Sequence, residues 1–162
     1  MPGARSAQSA DGLSQRRQRV QIAAMAENNV VHHSIGRLVA GRIASMKTRA
    51  DAIPYANAFR VAVKGLGAKA VIFADYRRVS VFSPEVADEL QMLMKDMNPY
   101  VDRSAVLVAA EHATHSLQVE RVVREAQLAS RRRFTDLADA VNWLGEILTE
   151  PERRDLEQFI KG

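Results

Sequence analysis

Apolar positions along this chain switch between continuous runs, alternation and helical spacing, and the switches mark its elements. The clearest unit lies between Lys69 and Met97. Val71-Ile72-Phe73-Ala74 is a short uninterrupted apolar run, which predicts a strand buried on both faces. Asp75-Tyr76-Arg77-Arg78 breaks that run, and a short strand-like segment, Val79-Ser80-Val81-Phe82, leads into Ser83-Pro84-Glu85. Ser83 is placed to cap a helix and Pro84 suits its first turn. Val86, Leu90, Leu93, Met94 and Met97 then recur at helical spacing until Asn98-Pro99 stops them. In an open α/β sheet, the turn after a buried strand is where binding groups gather.

The same logic extends in both directions. Arg19 to Met25 has strand character, and Glu27-Asn28-Asn29 is turn chemistry. Val30 to Ile35 resumes as a strand, placing His32 and His33 on opposite faces. Gly36 and Gly41 suggest bulges or a bend before a further strand at Ile43 to Met46, so this region reads as two or three antiparallel strands. Asp51 to Lys64 predicts a helix that tolerates Pro54 only in its first turn and ends at Gly65 and Gly67. Ala105 to Ala109 is a second buried strand. A polar turn, Glu111 to His115, precedes a helix carrying Val119, Val122, Val123 and Ala126 on one face. Arg131 to Phe134 is an edge strand by its position between two helices. Thr135 caps the next helix, with Leu137, Val141, Leu144 and Leu148 as its buried stripe. Thr149-Glu150-Pro151-Glu152 has capping-box spacing and opens a last helix bearing Leu156, Phe159 and Ile160. The order β-β-α-β-α-β-α-β-α plus a C-terminal helix calls for an α/β domain with a mixed β-sheet and helices packed on it.

Composition narrows the classes. The 162 residues suit one domain, expected over 19–162 behind a disordered basic tail at 1–18. No cysteine is present, which excludes disulfides and thiolate metal sites. No apolar run approaches the roughly 20 residues of a membrane span, so a cytoplasmic protein without membrane association is expected. A net charge of +4 suggests nucleic acid at first sight, yet +3 of it falls within residues 1–20. The body is close to neutral, so no basic folded surface follows.

Candidate chemistry is sparse. If the two buried strands are parallel, Asp75 and Ser83 share a sheet edge with Glu111, His112 and His115, and two histidines plus a carboxylate would suit a metal. The H-x-x-H spacing is common, however, and no general-base motif accompanies it, so no metal and no cofactor are expected. No G-x-S-x-G elbow or P-loop occurs, and Gly65-Leu66-Gly67 precedes a strand instead of following one. No catalytic residue is assigned and no enzyme is expected. Arg131-Arg132-Arg133 lacks interleaved aromatics beyond Phe134 and is offset by Asp136 and Asp139, which argues against nucleic acid.

The succession from about Arg19 to Ile160 resembles the anti-sigma factor antagonist (STAS) fold and its broader lipid-binding-like relatives. The local likeness is Ala70 to Leu90, AVIFADYRRVSVFSPEVADEL. Asp75 falls at the family's strand-end Asp, Val79 to Phe82 at its short segment, and Ser83 at the Asp of an Asp-Ser-Ser-Gly-type turn. Pro84 and Glu85 occupy the two serine positions and Val86 the glycine. The resemblance implies a non-enzymatic regulatory protein of bacterial signalling that binds a partner protein. Its switch serine is replaced by Glu85, which would hold the turn permanently charged without phosphorylation. The expected partner-binding residues are Asp75, Tyr76, Arg77, Ser83, Glu85, Asp88 and Glu89, with Gln91 and Lys95 on the same helix face and Glu111, His112 and His115 as a second loop. Tyr76 and Phe82 would supply apolar contact unless they belong to the core. The alternative is a lipid- or nucleotide-binding domain of the same fold, marked by an apolar cavity of several hundred cubic ångströms. Homodimerisation through the sheet edge near Arg19 to Ile35 is a third expectation.

Overall fold

The computed structural model describes residues 28–162. The expected tail and the strand at Arg19 to Met25 lie outside the described residues. Five strands form one mixed sheet in the order β1-β2-β3-β4-β5. They are β1 (Val30–His32), β2 (Leu38–Arg42), β3 (Ala70–Asp75), β4 (Val101–Leu107) and β5 (Arg131–Phe134). Only β1 runs antiparallel to its neighbour; the other pairs are parallel. Five helices connect and follow them: α1 (Arg49–Lys64), α2 (Pro84–Met97), α3 (Ala113–Glu125), α4 (Leu137–Gly145) and α5 (Glu150–Lys161). The α/β class and the expected element order are therefore present.

Period-2 geometry divides the sheet into two cores. Val39, Ile72, Ala74 and Val106 face α1, α2 and α3, meeting Phe59, Leu90, Leu93 and Val119. Leu38, Ala40, Val71, Phe73, Ala105 and Leu107 point the other way, against Ala140, Leu144 and Leu156 of α4 and α5. A sheet covered on both sides needs strands with no polar face, which is why β3 is buried at all six positions. Strand order without reversal sends three successive crossovers to one face and leaves the last two helices for the other.

Several sequence-level boundaries shift. The strand expected over Val30 to Ile35 ends at His32, because Gly36 at φ +59° turns the chain. Ile43 to Met46 is not a strand; the second strand is Leu38–Arg42 and contains Gly41 instead of breaking there. A Cβ on Gly41 would lie 2.3 Å from the Phe59 ring and 2.4 Å from the Tyr55 hydroxyl, so glycine sets how closely α1 approaches the sheet. Helix α1 begins two residues early through a Thr48–Asp51 capping box, which places Pro54 inside it, beyond the first turn. The missing Pro54 N–H leaves only the carbonyl of exposed Ala50 unpaired, where water reaches it. Val79 to Phe82 forms no strand, β4 starts four residues earlier than expected, and Asp136 instead of Thr135 caps α4. Ser83 and Thr149 cap α2 and α5 as their spacing predicts.

Helix α5 fastens the β1–β2 hairpin. Glu152 completes its own capping box and accepts from Arg37 N at 2.8 Å. Asp155 takes His32 Nε2 at 3.0 Å and Ser34 Oγ at 2.8 Å. His33 turns away to the Gly36 carbonyl at 3.0 Å. The two adjacent histidines thus separate, although His33 already lies past the end of β1.

Gly41→Ala should lower stability by roughly 1–3 kcal/mol through overpacking against Phe59 and Tyr55. Urea unfolding should show a lower midpoint at unchanged slope; an unaltered midpoint would mean that α1 retreats without cost.

Candidate functional site

The carboxyl ends of β2, β3 and β4 meet in register at Arg42, Asp75 and Leu107. Asp75 is 3% exposed. Its carboxylate accepts from Arg77 N at 3.1 Å, Arg77 Nε at 2.9 Å and Arg77 Nη2 at 2.9 Å, with Arg42 Nε 3.5 Å away. Burial pushes the Asp75 pKa up, but the Arg77 hydrogen bonds and the two guanidinium charges outweigh it and hold the carboxyl below its ordinary range. Arg42 is itself held under the Phe159 ring at 4.7 Å and donates to the Phe159 carbonyl at 2.9 Å.

From Asp75 the chain makes a turn fixed at several points. Tyr76 N donates to Leu107 O at 2.8 Å and Val79 N to Tyr76 O at 3.1 Å. Gln118 on α3 grips Phe82 from both sides, its Oε1 accepting from Phe82 N at 2.9 Å and its Nε2 donating to Phe82 O at 2.7 Å. Ser83 Oγ accepts from Val86 N at 3.3 Å and donates to Lys47 O at 3.2 Å, tying the start of α2 to the segment before α1. Beneath the turn the Tyr76, Phe82 and His115 rings meet edge to face, with centroids 5.5 and 4.7 Å apart. Its outer side carries Arg78, Ser80, Pro84 and Glu85, all exposed, and Val81 at 55% exposure. Leu117, 73% exposed, flanks the Gln118 clamp on α3, and Asp88 and Met92 continue the surface along α2.

The expected site residues divide accordingly. Glu85 and Asp88 are exposed, as is Lys95, while Gln91 is half-buried. Ser83 is a partly covered cap, and Arg77 folds back onto Asp75. Four expectations are corrected by burial. Asp75 is itself buried, its carboxylate taken up by Arg77 and Arg42. Tyr76 and Phe82 are core residues, since the turn folds both rings inward. Glu89 is buried because its position on α2 faces α1, where Arg49 Nε lies 3.2 Å from it. His115 belongs to no loop: it lies inside α3, fully buried, with neither ring nitrogen hydrogen-bonded among the described residues. Burial first, and then the neighbouring His112, bring its pKa down to about 4, so it is neutral at pH 7. Glu111 and His112 follow β4, the parallel neighbour of β3, but among the described residues no three His, Cys, Asp or Glu side chains are placed to hold a metal ion.

Arg42, Gln118 and Leu117 were not singled out by sequence. Gln118 and Leu117 carry no local signal, because their roles depend on α3 lying beside the turn. The burial of His115 was legible: it precedes Val119 by four residues, on the helix's apolar stripe.

No protein-family model, no curated protein and no solved structure matches this chain. Among the described residues, no helix is long and apolar enough to cross a membrane.

His115 gives the molecule a defined acid response. An unfolded histidine binds a proton near pH 6.5 and the folded one only near pH 4, so stability is lost as pH falls through that interval. The loss should approach about 1.4 kcal/mol per pH unit at its steepest. His115→Leu should flatten the plot of urea midpoint against pH between 6.5 and 4, and an unchanged slope would exclude His115 as its source. The Asp75 contribution has the opposite assignment: present above an unfolded carboxylate pKa of about 3.9, it is lost as pH falls through its lowered folded value. Asp75→Asn should therefore destabilise at pH 7, by roughly 2–4 kcal/mol, and lessen the decline below pH 4.

Proposed function

We propose that this chain is a non-enzymatic regulatory protein of the STAS-like kind, acting in the cytoplasm and binding a partner protein through the β3 turn and the start of α2. The observation that carries the proposal is the set of contacts that tie that turn to its neighbours. Asp75, Gln118 and Ser83 hold its two ends by contacts to β2, α3 and the segment before α1. A surface ordered before binding avoids the entropic cost of ordering on contact. Its exposed side chains combine apolar and charged groups, Val81 and Leu117 beside Arg78, Glu85 and Asp88, which suits an apolar centre with a polar rim. Glu85 sits at a helix N-terminus, where a carboxylate is favoured whether or not a partner reads it.

Beneath this surface the interior supports docking over enclosure of a ligand: the cavity between α2 and the sheet is about 20 Å³, room for little more than one water. The alternative of a small-molecule domain has a specific location, a groove of about 290 Å³ between α4 and α5 floored by Leu148 and Leu156. That groove is open and rimmed by Asn142, Arg153 and Glu157, unlike a lipid chamber.

The two surfaces lie on opposite faces of the sheet, so one experiment separates them. Affinity capture from a host lysate should recover a specific protein with the wild type and with Arg153→Glu. Recovery should fall at least about tenfold with Glu85→Arg and with Val81→Asp, a loss of roughly 1.4 kcal/mol or more. Equal recovery by all four would move the interface elsewhere, and loss with Arg153→Glu alone would transfer it to the α4–α5 groove.

A further inference from the structure

Arg131 on β5 is a cation inside the protein. It is 4% exposed, and its side chain donates to two neutral acceptors, Asn98 Oδ1 at 2.8 Å and Met94 O at 3.1 Å. Buried charges are ordinarily paired with an opposite charge, because neutral acceptors satisfy hydrogen bonds without compensating the lost hydration of the ion. The Met94 carbonyl belongs to the last turn of α2, whose dipole offers only partial negative charge. Burial accordingly lowers the guanidinium pKa to about 10, which still leaves it charged at pH 7.

Beside Arg131 lies the cavity of about 20 Å³ between α2 and the sheet. Ser104 stands directly opposite Arg131 in the β4–β5 register, so both project to the same face. Among the described residues, the polar lining is Arg131, Ser104 and Tyr76; every other one around the space is apolar, and none is acidic. Burial raises the Tyr76 phenol well above its ordinary pKa and keeps it an O–H donor. A cation, two hydroxyls able to donate and an apolar wall make a space lined by donors. A water would fit, but it would leave the charge of Arg131 uncompensated.

We propose that this cavity is a binding site for a small monovalent anion of the chloride class, held by the Arg131 guanidinium with the hydroxyls of Ser104 and Tyr76 as further donors. Polyatomic anions the size of phosphate or a carboxylate metabolite exceed the space. The anion bridges β4, β5 and the start of the β3 turn from inside, and it links their stability to halide concentration. The inference stands apart from partner docking, since the cavity lies inside the protein and the docking residues on its surface.

The test uses the full chain at fixed ionic strength, replacing sodium methanesulfonate, whose anion is too large for the cavity, by sodium chloride. The melting temperature should rise by roughly 3–5 °C for each tenfold increase in chloride beyond its dissociation constant. Arg131→Met should abolish the difference between the two salts. If that variant fails to fold, Ser104→Ala removes one donor from the same cavity and should move the chloride midpoint several-fold higher. Crystals soaked in bromide should show one anomalous peak within hydrogen-bond distance of Arg131. Equal melting curves in both salts with no bromide peak would overturn the proposal and leave a water in the cavity. A salt difference that persists unchanged in Arg131→Met or Ser104→Ala would also overturn it, placing the ion elsewhere.

Discussion

A carboxylate buried where β3 ends holds the carboxyl edge of the sheet together. Asp75 is at once the register partner of Arg42 on β2, the acceptor for Arg77 in the turn and the last residue of the central strand. Isolated, a charge at 3% exposure would be costly; between two guanidinium groups it remains ionised and fixes the direction in which the chain leaves the sheet. That direction puts Tyr76 and Phe82 inward, which in turn sets Ser83 at the start of α2. Arg42 carries the coupling to the other face through the ring and carbonyl of Phe159 near the end of α5. The turn is therefore positioned by both layers of helices.

The second layer is locked at its other end by a close fit of backbone to side chain. Gly36 adopts φ +59°, and a Cβ there would come within 2.2 Å of Glu152 Oε1. The same carboxylate accepts Arg37 N with Oε1 and caps α5 by taking Thr149 N on Oε2 at 2.8 Å. One side chain thus closes the hairpin turn and the start of the helix above it. With His32 and Ser34 on Asp155, helix α5 is joined to the β1–β2 edge by polar contacts, while Leu156 supplies its apolar anchor.

Much of this was legible because the signals are local. Val71 to Ala74, the Ser83-Pro84 start and the Thr149–Glu152 capping box each place an element from a few adjacent residues. The failures share a different cause. Gly41 reads as an interruption until Tyr55 and Phe59 are known to lie above it, and Pro54 reads as a first-turn residue until the Thr48 cap extends the helix ahead of it. Glu89 looked outward by its charge, yet its helical phase faces α1 and Arg49. Tyr76 and Phe82 read equally as surface or core, and only the long-range contacts decide: Tyr76 N to Leu107 O and the Gln118 clamp on Phe82. Composition described the segment; long-range packing chose the orientation of each side chain.

The two cores differ in a way that bears on function. The face under α4 and α5 is filled by aliphatic and aromatic groups, with Arg42 and Asp75 satisfying each other at its margin. The buried polar atoms without a hydrogen bond among the described residues all belong to the opposite layer: the Tyr55 hydroxyl on α1, Glu89 Oε2 on α2, held only by its ion pair with Arg49, and both His115 nitrogens on α3. Arg131 and its cavity lie on that side as well. Apolar side chains of similar volume at these positions would give a more stable protein, since each unpaired buried group carries a desolvation cost. Three such side chains, and the buried Arg131, therefore place the local conflicts of the sequence on the side of the sheet that bears the ordered turn. The layer beneath α4 and α5 is packed with apolar groups, and the layer of α1, α2 and α3 holds the buried polar atoms that lack hydrogen bonds.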